Sequence, residues 1–217
     1  MLQVLKEEQS RRNFWAFCLY YDSEFFDSRP FLKQIADSFQ RIADGKILRL
    51  QVSMPPRAGK SYITTLFAAW MIGRNPDGSI MRNCCTSTLY EKFSYDTRDV
   101  LKADKFRQVF PSVELSPDKQ SIRGWNTSHA VQVSYFGSGV GGTIIGFGAT
   151  LCAISDDLFK SFEDAISEKV CESTWSWYKG THGSRIEKHC PVIDIGTRWA
   201  KKDVIGRNLN EDYYDES

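Results

Sequence analysis

The segment MPPRAGKS, residues 54–61, limits what this chain can fold into more than any other. Ahead of it, Leu48, Leu50, Val52 and Met54 alternate with Arg49, Gln51 and Ser53. That period of two predicts a strand over 47–54. Behind it, Ile63, Leu66, Phe67, Trp70 and Met71 recur at i, i+3, i+4, i+7 and i+8, which predicts one apolar helix face. Gly73 and Asn-Pro-Asp-Gly at 75–78 end that helix. A strand that turns through a glycine-containing loop into a helix points backbone N–H groups and the positive end of the helix dipole at one spot. Such a spot favours a bound anion.

Gly59, Lys60 and Ser61 fit the phosphate-loop pattern G-x-x-x-x-G-K-[ST], with Met54 where the first glycine would stand. The expected nucleotide-binding set is Pro56, Arg57, Ala58, Gly59, Lys60, Ser61 and Tyr62. Lys60 would reach the β- and γ-phosphates of ATP, and Ser61 Oγ would ligate Mg2+. Arg57 would add a second, catalytic cation near the γ-phosphate. The plain alternative is a solvated lysine on a surface turn.

A loop of this kind works with a carboxylate at the end of a neighbouring buried strand, where it holds the magnesium shell, and with an adjacent acid that polarises water. The run LCAISDD at 151–157 offers both. Asp156 is the metal-side candidate and Asp157 the candidate catalytic base. Ser155 interrupts the apolar run, and aspartate stands where glutamate is common. The alternative is that both aspartates cap the following helix. Thr197 and Arg198 come after a third apolar strand, 191–196. At the carboxyl end of such a strand they face the crevice where α/β ligands bind and could couple the γ-phosphate to motion.

Elsewhere, residues 1–45 read as helical and aromatic-rich. FWAFCLYY (14–21) offers a large apolar surface, and Phe31, Leu32, Ile35, Phe39 and Ile42 keep helical spacing before a stop at Gly45. Ile80–Thr86 is a second strand. Thr88-x-x-Glu91 resembles a capping box for a helix that ends before Phe110-Pro111. Residues 121–136 hold short β segments. Ser161-x-x-Asp164 caps a helix carrying Ile166, Val170, Thr174 and Trp177 on one side. Strands alternating with helices give an α/β domain with a mainly parallel β-sheet flanked by helices. The expected division is an N-terminal helical segment (1–45) packed on the core, a core (46–207), and a linker or truncated end (208–217).

Composition excludes some classes. No apolar run reaches the roughly 18 residues that span a bilayer, so no membrane partner is expected. The N-terminus is too charged for a secretory signal, which reads as intracellular. A net charge of +1 neither demands nor excludes nucleic acid. The six cysteines form no C-x-x-C pair and the three histidines show no zinc spacing, so the thiols read as reduced and mostly buried. Gly137-x-Gly139-x-x-Gly142 matches the dinucleotide pattern literally, but the next residues, TIIGFGATLCAI, are β-like and glycine-broken, unlike a helix start. A loop that meets DNA or a neighbouring subunit is the expectation there. Trp175, Trp177 and Tyr178 read as core rather than a base-stacking platform. Arg74, Arg82, Arg98 and Arg123 read as solvated or salt-bridged.

Taken in order, FLKQIADSFQRIADGKILRLQVSMPPRAGKS, the FP at 110–111, GVGGTIIGFGATLCAISDDLFK and IGTRW resemble the N-terminal ATPase domain of the large terminase subunit of tailed bacteriophages, over roughly residues 30–199. The resemblance implies a RecA-like phosphate-loop ATPase fold and an oligomeric ring that drives double-stranded DNA into a capsid. It implies ATP and Mg2+ as cofactors. The implied partners are DNA, further copies of the chain, a portal protein and a small terminase subunit, in the host cell cytoplasm and transiently at the procapsid. By motif match Arg57, Lys60 and Ser61 take the loop roles, Asp156 and Asp157 the acidic roles, and Thr197 and Arg198 the coupling role. The segment around 31–42 resembles the region packed near the adenine. Phe147 stands where many relatives have an arginine after the glycine-rich turn, so the arginine finger is unassigned. The carboxylate cluster of the family's C-terminal nuclease domain has no counterpart here, and no nuclease activity is expected. The rival readings are a helicase-like phosphate-loop translocase and a DNA-binding assembly module with a degenerate nucleotide site.

Overall fold

The computed structural model describes residues 1–210 apart from residues 129 and 145. The chain opens with helices α1 (Leu2–Arg12), α2 (Phe14–Asp27) and α3 (Leu32–Ala43). Gly45 comes next at φ +67, a left-handed stop just past α3. The alternating segment forms β1 (Arg49–Ser53), and the helix after the loop is α4 (Lys60–Arg74). Then come β2 (Ile80–Cys84), α5 (Ser87–Lys102), α6 (Asp104–Val109), β3 (Leu115–Ser121), β4 (Gly124–Thr127), β5 (Tyr135–Phe136) and β6 (Cys152–Asp156). The chain continues through α7 (Phe162–Ile166), α8 (Glu168–Trp177), β7 (Val192–Gly196) and α9 (Val204–Asn208). The remainder of the expected linker, 211–217, lies outside the described residues.

The strands form one seven-stranded sheet in the order β1-β7-β6-β2-β5-β4-β3. The pairs β1·β7, β7·β6, β6·β2 and β2·β5 are parallel. The β5·β4 and β4·β3 pairs are antiparallel. Period-two alternation divides the strands between two cores. Ile80, Cys152, Ile154, Ile193 and Ile195 face α4, while Met81, Ala153 and Val192 face α8. The architecture is the expected α/β one, a mainly parallel sheet flanked by helices. β3, which the sequence reading did not separate out, is the outermost strand and carries Pro117 where no central ladder needs its N–H.

Three local expectations change. First, α4 is buried almost all round: Thr64, Thr65, Ala68, Ala69, Ile72 and Gly73 are as enclosed as its apolar face. The sheet covers one side and the N-terminal helices the other. The Phe14 ring lies 5.2 Å from Phe67 and 5.4 Å from Trp70, and Trp70 Nε1 donates to Ser10 O at 2.9 Å. Each such aromatic contributes about 1.5–3 kcal/mol by leaving water. Second, the N-cap of α5 is Thr86, whose hydroxyl accepts from Leu89 N at 3.1 Å; Thr88 lies inside the helix. Third, the helix expected after Ser161 is two short ones. Ser161 caps α7, but Ser167 is extended (ψ 115) and leaves Ile166 exposed.

Two buried polar groups join the sheet to its α8 side. Asp194 accepts from Ser155 Oγ at 2.6 Å, from Tyr178 OH at 2.9 Å and from Asn208 Nδ2 at 3.0 Å. This explains Ser155 in an apolar strand: it satisfies a buried carboxylate. His182 is fully buried, and its Nδ1 meets Asn83 Nδ2 at 2.8 Å. Asn83 Oδ1 accepts from Ser138 N, which fixes the amide with Nδ2 as donor, so Nδ1 accepts and the imidazole is neutral. Burial, then Arg49, push its pKa down to about 3. The unfolded chain therefore binds a proton between pH 6.5 and about 3 that the folded chain refuses. His182 is thus expected to cost about 1.4 kcal/mol of stability per pH unit of acidification across that window. Denaturant titrations of wild type and His182→Gln at pH 7 and pH 5 check this; equal pH slopes would contradict it.

Candidate functional site

The site begins with strand register. Ser53 of β1 pairs Gly196 of β7, Asp156 of β6 pairs Ile195, and Cys84 of β2 pairs Asp156. The carboxyl ends of these strands are therefore level. The segments that leave them converge on one edge: loop 54–59 after β1, Asp157 after β6, and Thr197 after β7. Ligands of parallel α/β sheets bind at this edge. Backbone bonds hold the convergence, with Met54 N donating to Gly196 O at 3.1 Å and Asp157 N to Ile195 O at 3.0 Å.

The loop carries strain at defined points. Gly59, the N-cap of α4, has φ +96, and a Cβ there would lie 2.9 Å from Phe25 Cζ. Glycine is therefore required both by conformation and by space. Arg57 has φ +64 and Asp157 φ +49, left-handed values that cost a non-glycine residue of order 1 kcal/mol or more. Met54 has no such backbone: it is buried in the core and continues the β1 ladder, so nothing at that position calls for glycine. The arginine side chain and Pro56 are exposed, and Ala58 is half-buried.

Three side-chain groups meet beside the first turn of α4. Lys60 Nζ lies 2.8 Å from Asp157 Oδ2 and donates to Thr197 Oγ1 at 3.1 Å. Thr197 N donates to Asp157 Oδ1 at 2.9 Å. Lys60 is buried, while a quarter of the Asp157 side chain remains exposed (25%), so the cluster opens toward solvent on the acid's side. Gly196 makes room for it: a Cβ there would lie 3.2 Å from Asp157 Oδ1. The Asp157 carbonyl accepts from Cys85 N at 3.1 Å, which ties its strained backbone to β2.

Asp156 has a different environment. It is fully buried, and its Oδ2 accepts from Nε (3.1 Å) and Nη2 of Arg82, on β2. The same guanidinium donates to Thr65 Oγ1 at 2.8 Å and to Ser61 O at 3.2 Å, and lies 3.8 Å from the centroid of the Phe93 ring. Asp156 Oδ1 has no hydrogen-bond partner among the described residues. Burial pushes the Asp156 carboxyl up, and the Arg82 charge opposes that shift. Removing either partner alone would leave a buried charge, at a cost of about 3–5 kcal/mol. Of the two readings given for Arg82, solvated or salt-bridged, the second holds; what the sequence did not give is its partner, Asp156, and a lone cation in the fully buried strand IMRNC was the signal that it needs one.

Arg198 and Tyr62 engage other groups. Arg198 pairs at 3.2 Å with Asp203, the residue that caps α9. Tyr62 donates to Asp22 Oδ2 at 3.0 Å, and its ring packs 4.8 Å from Phe25, toward α2. Ser61 stands in the first turn of α4 and its carbonyl also accepts from Thr65 Oγ1 at 2.8 Å. In the glycine-rich stretch, Gly137 and Gly139 serve close backbone approach, since a Cβ at 137 would lie 1.8 Å from Arg82 O. That segment opens no helix, and Phe147 is partly exposed, its ring 5.5 Å from Phe136. Trp177 and Tyr178 are buried; Trp175 is half-buried and stacks 5.6 Å from Tyr178. No group of three or more His, Cys, Asp or Glu side chains suited to a metal occurs among the described residues. No described helix is long and apolar enough to cross a membrane.

A helix that opens on a left-handed glycine, a level parallel sheet edge and a Lys–Asp–Thr cluster make this edge the candidate site of an α/β chain. Among solved structures, the chain is similar to a mutant ATPase domain of the large terminase of a Thermus phage, at 18% identity and a TM-score of 0.43. The match covers 68% of this chain and 58% of that one, so the chain spans less than two thirds of that structure's length. No protein-family model matches the chain, and no curated protein does.

Proposed function

We propose that the chain is an ATP-hydrolysing motor domain of the large-terminase type, which powers movement of double-stranded DNA into a viral capsid. The observation that carries this reading is the meeting of Lys60, Asp157 and Thr197 at the N-terminus of α4, where the phosphate-loop pattern expects a nucleotide. Oligomeric ring assembly, a portal, a small terminase subunit and the host cytoplasm belong to the reading through the sequence motifs alone.

The residues present fit ATP with Mg2+. Ser61 in the first turn of α4 and the buried Oδ1 of Asp156, which has no partner among the described residues, offer oxygen atoms on two residues that Arg82 joins through Ser61 O and Asp156 Oδ2, and hard divalent cations take oxygen ligands. Magnesium, when bound, neutralises charge on the β- and γ-oxygens. The chain's own residues do the rest. Backbone N–H groups of the loop and α4 hold the phosphates. Lys60 has one ammonium and two claimants, Asp157 and the phosphates. As the phosphates take it, Asp157 Oδ2 is released to orient a water and accept its proton. That water attacks the γ-phosphorus, the bond to the β-γ bridging oxygen breaks, and ADP leaves. Thr197 touches both Lys60 and Asp157, so β7 feels which partner the lysine has.

The test is turnover of ATP with Mg2+, measured from dilute to concentrated protein with and without double-stranded DNA. Specific activity is expected to rise with concentration, because a catalytic arginine from a neighbour contributes about 10³–10⁵ in rate in related chemistry. A folded chain that neither binds nor hydrolyses ATP would overturn the proposal, and flat specific activity would remove the ring.

A further inference from the structure

We propose that Arg82 is a positioning residue that cancels the charge of Asp156, so that the site itself holds a divalent cation weakly and takes it mainly through Ser61 and the phosphates. This rests on the phosphate-loop reading above. A metal-side aspartate in such a site normally offers a free negative charge. Here both Asp156 and Arg82 are fully buried, and Oδ2 accepts from two nitrogens of the guanidinium. The cation cannot swing away at low cost. Its Nη1 is fixed on Thr65 Oγ1, its Nη2 on Ser61 O, and its face lies against the Phe93 ring, so α4 and α5 both clamp it.

What Asp156 keeps is one acceptor, Oδ1, without a hydrogen-bond partner among the described residues. A neutralised pair with a single lone oxygen suits a hydroxyl or a metal-bound water better than the ion itself, because attraction to a divalent cation scales with net charge. The consequence is that metal would arrive and leave with the nucleotide. The same clamp reports on that exchange, since Arg82 touches Ser61 and Asp156 at once.

The test uses Mn2+ as the probe, titrated by electron paramagnetic resonance in saturating ADP. Wild type is compared with Arg82→Met and with the doubly neutral Arg82→Met/Asp156→Asn. Arg82→Met is expected to bind Mn2+ at least about tenfold more tightly, because a unit positive charge has left the site. The double variant exchanges a buried ion pair for two neutral groups, which proteins tolerate, and should fall within about threefold of wild type. Equal or weaker Mn2+ binding by a folded Arg82→Met would overturn the inference. If that variant fails to fold, the double variant decides: a tenfold loss would mean that Asp156 acts through its charge, against the proposal. ADP binding by wild type, read beforehand by calorimetry, separates the two failures. Its absence overturns the nucleotide reading and this inference with it; its presence leaves the Mn2+ result to judge Arg82 alone.

Discussion

Lys60→Ala is expected to lower affinity for ATP with Mg2+ by roughly 100-fold or more, while the chain stays folded. The ammonium supplies charge-assisted hydrogen bonds worth about 1.5–3 kcal/mol each, and about 2.7 kcal/mol is already 100-fold. The fold should survive because both partners of Lys60 have other support. Asp157 keeps its bond from Thr197 N and is 25% exposed, so water can take the place of the ammonium. Thr197 remains tied by the β7 end. Calorimetric titration with ATP, beside a thermal melt, measures both halves. Undiminished binding would remove Lys60 from the phosphate site. A wild type that melts cooperatively yet binds nothing would favour the assembly-module reading, with a degenerate loop.

The second large effect is at Asp157. Asp157→Asn should retain nucleotide binding and lose turnover by about 10²–10⁴-fold, the usual worth of a positioned general base. Asparagine is the informative replacement. It tolerates the left-handed backbone (φ +49) and can still accept from Thr197 N through its carbonyl oxygen. It lacks only the charge. Freed from its ion pair, Lys60 should hold phosphate at least as well as before, so affinity is expected to be equal or somewhat tighter. Single-turnover kinetics on the isolated chain separate this from an assembly defect. Wild-type hydrolysis in this variant would place the base elsewhere.

The two aspartates show how far sequence reading goes. Their place at the end of a buried strand could be read from LCAISDD, and so could the strand–loop–helix around Gly59. What each acid touches could not. Asp156 finds Arg82 across 74 residues, and Asp157 finds Thr197 across 40. Such contacts depend on which strand lies beside which. The insertion of β7 between β1 and β6 has no local signature, because each strand carries the same apolar pattern. For the same reason Thr197 and Arg198, adjacent in sequence and given one role, part company: Thr197 meets Lys60 while Arg198 turns to the α9 cap.

Burial shows the same division. The apolar face of α4 was legible from its spacing. α1–α3 fold over that apolar face, and the aromatic run at 14–21 announced an apolar surface without saying what it would cover; that the opposite side is equally enclosed depends on the sheet, where Thr65 meets Arg82, and on Phe110 beside Gly73. The local parts were already written in the residues: an alternating strand, a glycine that alone can take φ +96 under Phe25, and paired acids at a strand end. Those follow from periodicity and backbone sterics within a few residues. The partners were settled later, by packing in three dimensions, because strand order and helix coverage are long-range outcomes. A buried charge is satisfied by whichever group that packing brings within reach.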